Sequence, residues 1–332
     1  MASRHPHATR YRLAFSFFGA LWALLLAPHH AAAQQPAPLP GPIHERVAVQ
    51  LIDIGKIDVS AGTYNFDFYL SFQCDRPCDG NAFTVANGTI VGTPETVVNE
   101  PQHHVYRVHA DLATAFGFSR YPFTVHYLHV DIEPQDPAKN NANQVLYEAD
   151  TAQSGIGPLI DASGWQLMPH FRAIASTHTH PFVAKPHAYY EFGVVIDHPL
   201  LGSFIKSMLP ALFVMVTGFL AFLLVPEKNG PVRLGIGTTA LSTMTLWHIN
   251  VTSSLPPLSY PTYFDKFMVI NYCVLTCILA STVVGILSTD WWTNRDSGRF
   301  EAISRVAIPG LWVVLQGIIL ISLIRDSAGG LI

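Results

Sequence analysis

Charge is what this chain has least of. Of its 332 residues only 13% are Asp, Glu, Lys or Arg, against 49% hydrophobic, a balance that points to a membrane protein with a soluble part. Basic clusters are lacking as well, and between residues 35 and 200 the acids outnumber Lys and Arg, so nucleic acid is not an expected partner. Catalytic patterns are missing: there is no HExxH helix and no Ser-His-Asp constellation, so the chain is not expected to be an enzyme. Cysteine is scarce, with four in all. Cys74 and Cys78, in CDRPC, are close enough for a small disulfide if the turn geometry allows it, whereas Cys273 and Cys277 lie one turn apart in an apolar run and suit packing.

What is there falls into consecutive blocks. Residues 1–33 have the pattern of a secretory signal: Arg4, Arg10 and Arg12, then the apolar Leu13 to Ala27, then Ala31 to Ala33. A Pro-rich linker, 34–45, follows, and then a block over 46–200 that reads as strands. Tyr64, Phe66, Phe68, Leu70 and Phe72 alternate with Asn65, Asp67, Tyr69 and Ser71, the mark of a half-buried strand. Further β-prone runs lie at Val47 to Ile57, Val105 to His109, Val125 to Ile132, Gly164 to Ala175 and Tyr189 to Ile196, and Asn87-Gly88 is a turn signal. The expected fold is an antiparallel β-sandwich. Residues 201–332 then form a four-helix transmembrane bundle, with spans expected at about 204–225, 232–254, 266–288 and 305–324. Lys228, Arg233, Arg295, Arg299 and Arg305 lie in the segments that would face the cytoplasm, which leaves the sandwich and the C-terminus outside.

The second of these spans is unusual. Stepping by three or four residues from Gly235 gives Gly235, Thr239, Ser242, Leu246, Ile249 and Ser253, a small and hydroxylated stripe that turns apolar only in its later turns. Such a face suits water better than lipid, as in a channel wall, although close helix packing can use small residues too.

Three motifs carry a resemblance. Tyr121-Pro122-Phe123 is similar to an aromatic-Pro-Phe loop, Pro199 to Pro210 to a strand-to-span junction, and Arg233 to Thr245 followed by Leu255-Pro256-Pro257-Leu258-Ser259-Tyr260 to a pore helix with its outer linker. In this order the chain resembles a bacterial member of the pentameric ligand-gated ion channels, the Cys-loop receptor family. The resemblance implies a homopentamer in the bacterial inner membrane, four further identical subunits and lipid being the partners, with a periplasmic β-sandwich that binds a small molecule, a proton or a divalent ion. Arg233, Gly235, Thr239, Ser242, Leu246, Ile249 and Ser253 would line the pore. Arg233 after Pro231-Val232 resembles the anion-selective members, since an Arg ring with no carboxylate favours anions; Glu227 and the acidic outer block argue the other way.

The same resemblance assigns a gating interface to Asp58, Tyr121, Pro122, Phe123, Thr124, His198, Leu255, Pro256, Pro257 and Tyr260. Thr124 and His198 replace the Asp and Arg that the family pairs there, and His198 is then either a titrating group or a neutral structural histidine. Thr114 and Leu128 stand where the family has its named cysteines. The ligand hairpin would be Ser176 to His187, with Phe182, Tyr189 and Tyr190 as ligand contacts, although no Trp follows Ile132 to complete an aromatic cage. His178, His180 and His187 in that hairpin have the spacing to hold Zn²⁺ or another divalent ion as a modulator; no cofactor is otherwise required. Exposed histidines in a His-rich protein give the same pattern, and a non-conducting receptor or metal-binding module on the channel fold is the alternative to a channel.

Overall fold

The alternation read between Tyr64 and Phe72 is strand β2 (Thr63–Cys74), whose even-numbered residues are buried along its whole length. In the computed structural model, which describes residues 41–329 apart from 81, 137–138, 163, 182–184 and 292–293, eleven strands precede four helices. The signal and most of the linker expected at the N-terminus, and Phe182, lie outside the described residues.

One sheet contains β1 (Ile43–Asp58), β2, β4 (Gly88–Ile90), β5 (Glu95–Glu100), β6 (His103–Ala113), β8 (Val145–Ala149) and β9 (Gly155–Ile156). The other runs in the order β10 (Gln166–His178), β11 (His187–Asp197), β7 (Val125–Pro134) and β3 (Phe83–Val85). Their inner faces meet over Phe66, Phe68, Phe72, Tyr106, Leu128, Val130, Phe192 and Val194, and burying each Phe contributes roughly 1.5–3 kcal/mol. The turn at Asn87 carries the chain between sheets: β3 pairs with β7 and β4 with β6. Asn87 holds it by donating from Nδ2 to the His129 carbonyl at 2.8 Å and accepting at Oδ1 from the Asp131 N–H at 3.0 Å.

The expectation of a wholly antiparallel sandwich needs one correction. β8 and β9 pair with β1 in parallel, because the chain returns from β7 on a long connection and runs alongside β1 in the same direction. Cys74 and Cys78 are joined in a disulfide, with their Cα atoms 6.3 Å apart.

The helical region comprises α1 (Leu200–Ala221), α2 (Pro226–Thr252), α3 (Tyr263–Trp291) and α4 (Asn294–Gly329). A π-turn at Phe204–Met208 interrupts α1. Three stretches, Leu200–Ala221, Tyr263–Leu287 and Gly298–Arg325, are long and apolar enough to cross a membrane. These stretches and the β domain mark a membrane protein. The helix α2 is 27 residues long and contains no such apolar stretch among the described residues, and it is kinked at Asn229, two residues before Pro231. Helix ends run past the expected span limits, most of all in α4, because its polar flanks continue the backbone ladder.

Candidate functional site

The orientation of α2 is fixed by what its buried side requires. Arg233, Gly237, Ala240, Met244 and Val251 face inward. A Cβ added at Gly237 would sit 2.5 Å from Leu279 of α3, so glycine is what permits this close approach. Trp247 Nε1 donates to the Ser207 carbonyl of α1 at 2.9 Å. His248 contacts α3 twice, through Nδ1 to the Tyr272 hydroxyl at 3.0 Å and through Nε2 to Asp265 at 2.9 Å. With that side committed, Gly235, Thr239, Ser242, Leu246, Ile249 and Ser253 all face outward and are exposed, Leu246 by 69% and Ile249 by 61%. Other parts of the helical region expose apolar residues as much, such as Val306 and Leu223, but this face mixes them with Gly, Thr and Ser.

Arg233 does not share it, and this corrects the sequence expectation. Its side chain is fully buried. Nη1 donates to Glu301 of α4 at 2.5 Å and to the Leu224 carbonyl at 3.3 Å, and the guanidinium lies 4.4 Å from the Phe222 ring centre. Arg305 Nε reaches the same Glu301 oxygen at 3.2 Å. A buried guanidinium cannot shed its charge, so it takes a carboxylate. With Glu301 on it, Arg233 is not the unpaired Arg that the expectation of anion selectivity assumes.

The two regions meet at the loop carrying Tyr121, Pro122 and Phe123, whose Tyr121-Pro122 bond is cis. Its carbonyls satisfy the otherwise unpaired first N–H groups of α3: Tyr263 N donates to Ser119 O at 2.9 Å and Phe264 N to Tyr121 O at 3.0 Å. Thr262 and Asp265 close a capping box at the same helix start, the Thr262 N–H reaching Asp265 at 2.7 Å. From the linker after α2, the Tyr260 hydroxyl accepts from Phe118 N at 3.1 Å. Leu255 and Pro256 are half-buried and Pro257 exposed in that linker. Asp58 is bonded within its own turn rather than across the two regions. Its carboxylate accepts from Ser60 and the Ala61 N–H in its own turn, which hold its pKa down at about 2.

Thr124 is buried, and His198 stacks on Trp165 with ring centres 3.7 Å apart. Burial holds the pKa of His198 below the ordinary histidine value, and burial together with His198 takes its neighbour His126 down to about 4. Both rings are neutral at neutral pH. Thr124 and His198 thus place no charge at this junction at neutral pH.

On the β10–β11 hairpin the structure separates the expected ligand residues. Tyr190 is not available: it points into the core and shares a hydrogen bond with Ser154, at 3.2 Å. Tyr189 lies on the opposite face by the two-residue strand period, with its ring centre 5.5 Å from that of His178. His178 and His187 are directly paired across the strands, while His180 lies beyond the strand end. Sequence reasoning missed Glu133, at the end of β7, which approaches both His180 and His187. It also missed Glu301, His248 and Asp265; only the last has a local signal, the Thr-x-x-Asp capping pattern of residues 262–265. No protein-family model matches the chain, and no curated protein matches it.

Proposed function

We propose that the chain is one subunit of a pentameric ligand-gated ion channel of the bacterial type, seated in the inner membrane with its β domain and C-terminus on the periplasmic side. The observation that carries this reading is the outward stripe on α2. Lipid is a poor solvent for Gly235, Thr239, Ser242 and Ser253, and water is a poor one for Leu246 and Ile249. Five copies around a wet axis suit both sets: the hydroxyl rings stand in for water around a passing ion, and the Leu246 and Ile249 rings close the path by dewetting. The disulfide between Cys74 and Cys78 supports an outer, oxidising side for the β domain. The junction from Phe118 to Phe123 onto Tyr260 and α3 supplies the mechanical link by which a ligand on the sandwich would move α2. Arg233, committed to Glu301, is left out of the filter, and the ion type is not assigned.

Thiol access tests the stripe directly. In a background where Cys273 and Cys277 are replaced by Ala, Ser242→Cys is expected to be modified by a water-soluble thiol reagent and to lose current once modified, in purified protein reconstituted into planar bilayers. Native mass measurement of the same sample should give five chains. A pentamer that passes no current during pH steps and Zn²⁺ addition would favour the non-conducting receptor, and a conducting channel in which Ser242→Cys resists the reagent would remove α2 from the pore.

A further inference from the structure

We propose that Glu133, His180 and His187 form a binding site for a divalent transition metal of the zinc class, tying the β10–β11 hairpin to strand β7. This goes beyond the pore reading and needs only the β domain. Their ligating atoms all lie within 4.8 Å of one another. Glu133 Oε2 is 3.1 Å from His180 Nε2, and Oε1 is 3.4 Å from His187 Nε2. Two atoms each bound to a tetrahedral zinc ion stand about 3.3 Å apart, which both separations match.

The independent observation is at His187. Its ring is fully buried, and neither nitrogen has a hydrogen-bond partner among the described residues; the approach of Nε2 to Glu133 lacks hydrogen-bond geometry. A buried imidazole is ordinarily bonded at one nitrogen at least. The contact between His180 and Glu133 leaves both His187 nitrogens as they are. A metal on Nε2 satisfies His187 and Glu133 together. The two-nitrogen, one-carboxylate set suits Zn²⁺, Cu²⁺ or Ni²⁺ and not Ca²⁺ or Mg²⁺, which take oxygen. His178, with its ring centre 5.6 Å from that of His180 and 6.1 Å from that of His187, stands where a fourth ligand can come in.

Two comparable clusters hold no buried histidine without a hydrogen-bond partner. His129 and Asp131 already bond each other at 2.9 Å and Glu191 accepts from the Tyr127 hydroxyl at 2.7 Å, while beside Glu45 both sulfurs are spent in the disulfide. At the hairpin, Glu133 and His187 are held in sheet strands and His180 sits just past the end of β10. Metal would therefore join the end of β10 to β11 and β7, strands already paired in the sheet, without reshaping it.

The test is a calorimetric titration of the full chain, tag removed and stripped with chelator, with ZnCl₂. One Zn²⁺ per chain is expected, and Co²⁺ in its place should show the visible absorption of a tetrahedral ion. Outer-shell partners of a metal typically contribute 10–100-fold in affinity, so loss of a direct ligand in His180→Ala should weaken binding about tenfold or more. His180 is partly exposed and lies past the end of β10, so its removal should leave the fold intact. Glu133→Gln should lose binding as well, while His109→Ala, on another strand, should bind as the wild type does. Absence of stoichiometric Zn²⁺ binding, or a His180→Ala affinity equal to wild type, overturns the site. Currents do not enter this test, so a failed pore and a failed metal site are told apart.

Discussion

Arg233 in the helical region and Glu45 in the β-sandwich are both withdrawn from water, and only one of them has a counter-charge. Arg233 is fully buried and meets Glu301. Glu45 is 7% exposed, and the charges that act on it are the carboxylates Asp79 and Asp75. The difference follows from acid–base chemistry. A guanidinium holds its proton at any ordinary pH, so burying it requires a carboxylate. A carboxyl can instead take up a proton and be buried neutral, and burial together with the two Asp neighbours raises the Glu45 pKa to about 7. Between these two places lies the junction, where Thr124, His126 and His198 bury no charge at neutral pH.

The largest expected effect comes from removing the carboxylate in the helical region. Glu301→Leu leaves the Arg233 charge buried with only the Leu224 carbonyl and the Phe222 ring, and should cost about 3–5 kcal/mol. Arg233→Met should cost less, since Glu301 keeps Arg305 at 3.2 Å and is not fully buried. Thermal stability of the detergent-solubilised protein checks the ranking. If Arg233→Met proved the worse of the two, the pair would not be governed by the unpaired-charge rule.

At Glu45 the expected effect is smaller and depends on pH. Its folded pKa of about 7 is above the ordinary 4.5, so the stability it contributes is fully present below pH 4.5 and is lost as pH rises through 7. Glu45→Gln keeps the neutral shape at every pH. The variant should match the wild type near pH 4.5 and exceed it by about 2–3 kcal/mol at pH 8. His126 has the opposite sign, since its depressed pKa makes stability fall as pH drops from 6.5 towards 4. That contribution is common to both proteins and cancels in their difference. Parallel stability profiles for the two proteins across pH 4.5–8 would show that Glu45 is not buried as a neutral acid.

The sequence made the sandwich legible where strands are long. Every second residue of β2 is apolar, and that alone places it; β3, β4, β8 and β9 have two to five residues each, too few for a period to show. The same period could have placed Tyr190 correctly, because it falls in step with Phe192, Val194 and Ile196, the core side of β11. On α2 the 3.6-residue repeat separates the outward stripe from Gly237, Ala240 and Met244. What period cannot give is a partner from far along the chain. Glu301 is 68 residues from Arg233, and Glu133 is 47 from His180, so the ion pair and the carboxylate of the hairpin cluster became visible only with the fold.

The junction offers the smallest effect and the finest discrimination. If it works through neutral hydrogen bonds, Tyr260→Phe should act without touching either buried charge. The substitution removes the acceptor of the Phe118 N–H and leaves the Tyr263 and Phe264 bonds to the loop in place. Tyr260 is 40% exposed, so water can take over part of that bond, and the loss should be about 0.5–1 kcal/mol. Such a change corresponds to roughly 2- to 5-fold faster hydrogen exchange at the Phe118 amide, with the α3 amides little altered. Exchange at Phe118 equal to that of the wild type would mean that the loop is held by the α3 start alone. Tyr260 would then be a bystander, and any control of α2 by the sandwich would have to pass through the Tyr121 and Phe123 contacts instead.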